Sequence, residues 1–94
     1  MKYEQGAMRL IGGLVSYIDN TGKKITPSIY TSGTSFNNGF AFVKFNDQFG
    51  FINSEGKTVL DYQFEEGNNF FRGIAYIKKN NHWEYINTNG NKIW

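Results

Sequence analysis

The chain has 94 residues, enough for one small domain with a modest core and too few for two. Ten basic and eight acidic side chains leave a net charge of +2, without the imbalance or basic stripe of a dedicated nucleic-acid binder, so a nucleic-acid partner is disfavoured. The absence of cysteine excludes a disulfide framework and a thiolate metal site, and nine Phe, six Tyr, 11 Gly and one Pro suit short strands joined by tight turns.

From the N-terminus, Lys2 precedes an apolar patch from Ala7 to Ile18 that Arg9 and Gly12-Gly13 interrupt. With no small-residue cleavage site it does not read as a signal peptide. No run approaches the roughly 20 apolar residues that span a bilayer, so no membrane segment is expected. The chain reads as soluble, with the cytoplasm favoured over export. Alternating aromatic and β-branched residues predict strands at 6–11, 14–18, 24–27, 40–45, 49–53, 57–61, 74–79, 82–87 and 91–94. Gly12-Gly13, Asn46-Asp47 and Asn80-Asn81 tolerate positive φ and predict two-residue type I′ turns. Asp19-Asn20-Thr21-Gly22, Asn53-Ser54-Glu55-Gly56 and Asn87-Thr88-Asn89-Gly90 each start on a capping side chain and close on glycine.

These features recur at one constant spacing: Ala7, Ala41 and Ala75; Tyr17-Ile18, Phe51-Ile52 and Tyr85-Ile86; Gly22, Gly56 and Gly90. The expected fold is therefore all-β. A single domain over 1–94 is an array of three 34-residue repeats (about 2–35, 36–69 and 70–94), each an antiparallel hairpin or three-stranded meander. Glycine density and β-branched runs argue against the helical arrays that share this period. Counting out from the turns pairs Met8 with Tyr17, Phe42 with Phe51, Tyr76 with Tyr85, Lys44 with Phe49 and Lys78 with Trp83. Phe42, Phe51, Tyr76, Tyr85, Ile52 and Ile86 are the expected core.

At these positions the chain resembles the WG-repeat family, whose pattern is F-x-x-G-x-A-x-V, a polar turn, then W-G-[YF]-I-[ND]-x-x-G-[KN]-x-[VI]. The second unit carries Phe36, Gly39, Ala41, Val43, Phe49-Gly50-Phe51-Ile52-Asn53, Gly56-Lys57 and Val59. The third carries Phe70, Gly73, Ala75, Ile77, Trp83-Glu84-Tyr85-Ile86-Asn87, Gly90 and Ile93. The first is degenerate, and no unit has an intact Trp-Gly pair: the positions read Val15-Ser16, Phe49-Gly50 and Trp83-Glu84. The resemblance implies an all-β repeat module found mainly in bacterial proteins, without a defined enzymatic activity or ligand.

Candidate chemistry is sparse. His82 is the one histidine and has no second His or Cys to complete a metal site, so it reads as a polar residue beside a turn. Glu65-Glu66 and Asp61 read as a solvated connector, and Asp19-Asn20-Thr21-Gly22 lacks the further carboxylates of a calcium loop. No catalytic residue, cofactor or metal ligand is expected. Lys44, Phe49, Lys78, Lys79, Trp83 and Trp94 form the candidate binding surface, though the same pairs also suit an ordinary hairpin face on which Lys stems cover rings. The function expected is a noncatalytic interaction module that binds another protein. A carbohydrate- or envelope-binding module is the alternative, and a small hydrolase a distant third. The third unit stops at Ile93-Trp94, so its last strand edge is expected to be covered by folding back or by a second copy of the chain, as in a homodimer.

Overall fold

The computed structural model describes residues 7–11, 14–19, 21–27 and 29–93, with backbone alone for 7–11. The strands are β1 (Ala7–Ile11), β2 (Leu14–Ile18), β3 (Ser32–Gly33), β4 (Phe40–Phe45), β5 (Gln48–Asn53), β6 (Thr58–Phe64), β7 (Glu66–Gly67), β8 (Ile74–Lys79) and β9 (His82–Asn87). The fold is all-β and antiparallel, built on the hairpins β1–β2, β4–β5 and β8–β9. No helix is long and apolar enough to cross a membrane among the described residues.

The expected registers are present: Met8 opposes Tyr17, Phe42 opposes Phe51, Lys44 opposes Phe49, Tyr76 opposes Tyr85 and Lys78 opposes Trp83. The turns impose them. Asn46 and Asp47 have φ of 52° and 69°, and Asn80 and Asn81 have 51° and 66°, the left-handed pair of a type I′ hairpin. Gly12-Gly13 lies outside the described residues. In the second turns Asp19, Asn53 and Asn87 each accept two backbone N–H groups at 2.9–3.0 Å, from Thr21 and Lys23, Glu55 and Lys57, and Asn89 and Asn91. The Thr21 hydroxyl and the Lys23 and Thr21 amides hold the Asp19 carboxyl below its usual range, so this carboxylate is already engaged as a turn cap.

Gly56 has φ of 83°, and a Cβ there would lie 3.0 Å from both Ile25 Cγ2 and the Ile25 carbonyl oxygen of the preceding unit. A side chain at Gly56 thus meets two costs, a left-handed backbone and a crowded contact between units. Gly56→Val is expected to destabilise by about 2–4 kcal/mol in urea unfolding. An unchanged midpoint would refute both terms.

Pairing departs from expectation beyond the hairpins. β3 joins β4 and β7 joins β8, so each later hairpin recruits two residues from the linker before it. The second unit is therefore a four-stranded sheet, β3-β4-β5-β6, whose edge lies ahead of residue 36. The strand expected at 57–61 runs on to Phe64, with the register slipping from Phe51↔Leu60 to Phe49↔Phe64. This bulge carries Asp61, Tyr62 and Gln63 across Gly50. The strand expected at 24–27 is instead one isolated bridge, Ile18↔Lys24, with a second, Val15↔Tyr30, beyond it. Pro27 has no N–H to give a ladder, and the Thr26 hydroxyl takes over by accepting the Tyr17 N–H at 3.0 Å. Over 91–93 there is one bridge, Ile86↔Lys92, and no strand; the Trp94 end of the expected 91–94 strand lies outside the described residues.

The hairpins stack face to face, and always in the same sense. Val15, Tyr17 and Tyr30 of the first unit pack on Ala41, Val43 and Ile52 of the second, with Phe36 alongside. Phe51 and Phe64 pack on Ala75, Ile77 and Ile86 of the third, with Phe70 alongside. These two sets correspond one repeat apart, with the half-buried Phe49 standing where Val15 does. Each unit thus presents an aromatic face to the next, which answers with a face of Ala, Val and Ile. The Tyr17 hydroxyl donates to the Thr34 carbonyl at 2.5 Å. Burial pushes the Tyr17 and Tyr30 phenols far above the ordinary tyrosine value of about 10.

A sign follows for alkaline stability. Above about pH 10 the unfolded chain releases these phenolic protons while the native chain holds them, so stability is full below that pH and falls above it. Urea midpoints should drop between about pH 9 and pH 11, and drop less in Tyr17→Phe. An equal drop in both proteins would show that other groups carry the effect.

Candidate functional site

The six residues expected to form one binding surface divide among several places. Phe49 is half-buried between the second and third units, stacked on Phe42 with centroids 4.4 Å apart and the Lys44 ammonium 5.5 Å above its ring. This cation–π pair supports the stack. Lys78 and Trp83 lie on the other side of the β8–β9 hairpin, where Trp83 is 44% exposed and Lys78 reaches to within 4.0 Å of the Glu66 carboxylate. Lys79, one position on, falls with Ala75 and Ile77 on the opposite face by strand alternation, so it does not join Trp83. Trp94, and with it the expected covering of the terminal edge, lies outside the described residues.

What gathers around Trp83 is aromatic rather than basic. Its ring stacks on Tyr76 at 4.7 Å and 22°, and Tyr76 meets Tyr85 at 4.6 Å, giving a row of three rings along β8–β9. Tyr76 and Tyr85, expected in the core with Phe42 and Phe51, are 37% and 43% exposed. Their cross-strand pairing is as expected, but no described residue covers that face, whereas Phe42 and Phe51 lie under the third unit. Phe71 (64% exposed) and Ile74 extend the apolar surface, and the Arg72 guanidinium sits 5.2 Å over the Phe71 ring. Asn68, Phe71, Arg72, Ile74, Tyr76 and Tyr85 line a shallow groove of about 460 Å³.

The sequence held one signal for this surface. Where the buried row reads Phe42 and Phe51, the open row reads Tyr76 and Tyr85, a hydroxyl added to each ring as an aromatic with one end in water allows, although Tyr17 at the same repeat position is buried. His82, Glu65, Glu66 and Asp61 are exposed and scattered: Glu65 accepts the Asn81 N–H at 3.3 Å and Glu66 faces Lys78. No group of three or more His, Asp or Glu is placed to hold a metal ion among the described residues.

A profile of the WG containing repeat matches residues 16–48 and 49–83, well over half of the chain. The chain belongs to the WG-repeat family. Both matches begin within the second strand of a hairpin and run through the first strand of the next to the start of its second, so each spans one interface between units. No curated protein and no solved structure matched the chain.

The fold gives a reason for the glycine in a WG repeat. A Cβ on Gly50 would lie 2.7 Å from the Leu60 carbonyl oxygen and 2.7 Å from Tyr62 Cδ1, because the β6 bulge crosses directly over it. In the third hairpin Glu84 occupies this position, and there no bulged strand follows among the described residues. In the first unit Ser16 occupies it and is buried.

Proposed function

We propose that this WG-repeat chain is a noncatalytic interaction module that binds another protein through the open ring row of β8–β9. The carrying observation is the correspondence between that row and the Phe49–Phe42–Phe51 row of β4–β5, which a neighbouring hairpin covers inside the same molecule. A contiguous exposed apolar surface on a small domain marks an interaction site.

Ring orientation favours a protein over a sugar. Tyr76 is flanked by Trp83 at 4.7 Å and by Tyr85 at 4.6 Å, so its ring faces are engaged by its neighbours. Pyranose stacking uses free ring faces, whereas a row of edges takes aliphatic side chains between them. The carbohydrate reading keeps one observation in its favour, the exposed Trp83 indole at the end of the row.

Selection of displayed random peptides on the wild-type protein, with counter-selection on Tyr85→Asp, tests the proposal. Enriched peptides whose binding Tyr85→Asp lowers at least tenfold are the expected result. Saturable glycan binding that Trp83→Ala abolishes, with no peptide enrichment, would replace it with the carbohydrate reading.

A further inference from the structure

An asparagine followed by glycine loses ammonia more readily than other asparagines, because glycine has no side chain to hinder closure of a succinimide ring. The chain has two such pairs, Asn38-Gly39 and Asn89-Gly90, and the fold treats them differently. Both asparagines are exposed, so access alone does not separate them. The difference lies at the glycine nitrogen, which is the attacking atom. Gly90 donates its N–H to the Asn87 carbonyl at 2.9 Å, and the Asn89 N–H is held by Asn87 Oδ1 at 3.0 Å. A Cβ on Gly90 would also meet Leu60 Cδ2 at 2.8 Å, so that turn lies packed against β6. Among the described residues the Gly39 N–H donates to no group and the Asn38 side chain has no hydrogen-bond partner. Nothing would lie within 4 Å of a Cβ on Gly39.

Asn38 and Gly39, with φ of 56° and 83°, form a left-handed turn. It is closed by the Asn37 N–H on the Phe40 carbonyl at 2.8 Å and the Phe40 N–H on the Asn37 carbonyl at 3.1 Å. Ring closure requires the peptide after Asn38 to rotate, so the turn must first open. Its bridge stands alone ahead of the β4 ladder, which makes such opening local. Both ends of this turn fasten the third unit to the second. The Asn37 side-chain amide donates to the Phe70 carbonyl at 2.9 Å, and the Phe40 carbonyl accepts the Asn69 side-chain amide at 2.6 Å. The Phe40 and Phe70 rings meet at 4.9 Å.

We propose that Asn38 is a site of spontaneous deamidation, and that its isoaspartyl product loosens the second unit from the third. The Gly39 nitrogen gives its proton to solvent and attacks Asn38 Cγ. The N–Cγ bond forms, the Cγ–Nδ2 bond breaks, and Nδ2 takes a proton from water and leaves as ammonia. Water then opens the succinimide at one of its two carbonyls. Opening at Cγ gives aspartate; opening at the α-carbonyl gives isoaspartate, in which the chain runs through Cβ and Cγ. Water is the co-reactant and nothing is oxidised or reduced. Isoaspartate lengthens the backbone between Asn37 and Phe40 by a methylene, which displaces the two residues that hold Phe70 and Asn69. The chain contains a form of this turn that cannot age: one repeat later Arg72-Gly73 has φ of 55° and 82°.

The test is to incubate the full chain in mildly alkaline buffer and map its peptides by mass spectrometry. Asn38 should convert about tenfold faster than Asn89, whose ring closure must first free a hydrogen-bonded amide in a packed turn. In urea the two rates should converge. Equal rates in the folded chain, a faster Asn89, or a difference that persists in urea overturns the inference. The isoaspartyl form, separated by ion exchange, should show hydrogen exchange at Asn37, Phe40 and Phe70 at least tenfold faster than Asn38→Asp, which carries the charge without the longer backbone. Unchanged exchange in the isoaspartyl form overturns the loosening of the units. Asn38→Arg, the residue that the third unit uses at this turn, should fold as the wild type does and keep its exchange rates through the same incubation. Exchange that quickens equally in Asn38→Arg would trace the effect to another site and overturn the assignment.

Discussion

Phe51→Ala is expected to destabilise the chain by about 3–5 kcal/mol, while Tyr85→Ala, at the same position one repeat later, should cost about 1 kcal/mol. Phe51 is 0% exposed, with ring contacts to Phe42, Phe64 and Phe70 at 4.8, 5.7 and 4.6 Å. Removing it opens a cavity where the second and third units meet, and the surrounding backbone is held on both sides by ladders that limit collapse. Tyr85 keeps 43% of its surface in water and loses mainly its contact with Tyr76. Domains of this size have total stabilities of about 5–15 kcal/mol, so Phe51→Ala brings the fold close to its limit. Urea unfolding followed by tyrosine fluorescence or circular dichroism measures both. Equal costs for the two substitutions would mean that the β8–β9 face is covered in solution.

Gly50→Ala is expected to cost about 1–3 kcal/mol through overpacking, against about 0.5 kcal/mol or less for Glu84→Ala. Two of the atoms a Gly50 Cβ would meet are backbone, the Leu60 oxygen at 2.7 Å and the Asp61 carbonyl carbon at 3.1 Å, which no rotamer change can move. The strain can be relieved only by lifting the β6 bulge from β5. Hydrogen exchange should then speed up selectively at Phe49, Phe51 and the Leu60–Phe64 stretch. A Gly50→Ala protein of unchanged stability would show that the glycine is tolerated at this crossing and not required by it.

Much of the architecture was legible in the residues because it is local. Asn46-Asp47 and Asn80-Asn81 each allow one hairpin geometry, and once a two-residue turn is set, every cross-strand pair follows by counting. Asp19, Asn53 and Asn87 cap the next turn with atoms two and four residues away. The departures are where a second segment intervenes. The 24–27 strand yields to Pro27 and to the Thr26 hydroxyl; the 57–61 strand extends to Phe64 because β5 continues to offer partners beyond the bulge. Grouping Lys79 with Trp83 overlooked alternation, which sends adjacent side chains to opposite faces of a strand. The candidate site was legible in part. Trp83 and Lys78 were placed together by the turn, but Phe71 and Ile74 lie outside any aromatic-pair rule.

Tyr76 and Tyr85 mark the boundary between the two kinds of information. By itself the sequence determined that they oppose each other across a hairpin, that Phe42 and Phe51 do the same, and that the units repeat at a constant spacing. Only the tertiary structure decided that one pair is core and the other surface. Alternation and turn chemistry act over a few residues and fix which side chains share a face. Burial of that face depends on whether another hairpin, contributed from a distant part of the chain, lies across it. For Phe42 and Phe51 that hairpin is β8–β9, with Ala75, Ile77 and Ile86 filling the space between units; over Tyr76 and Tyr85 no described residue lies.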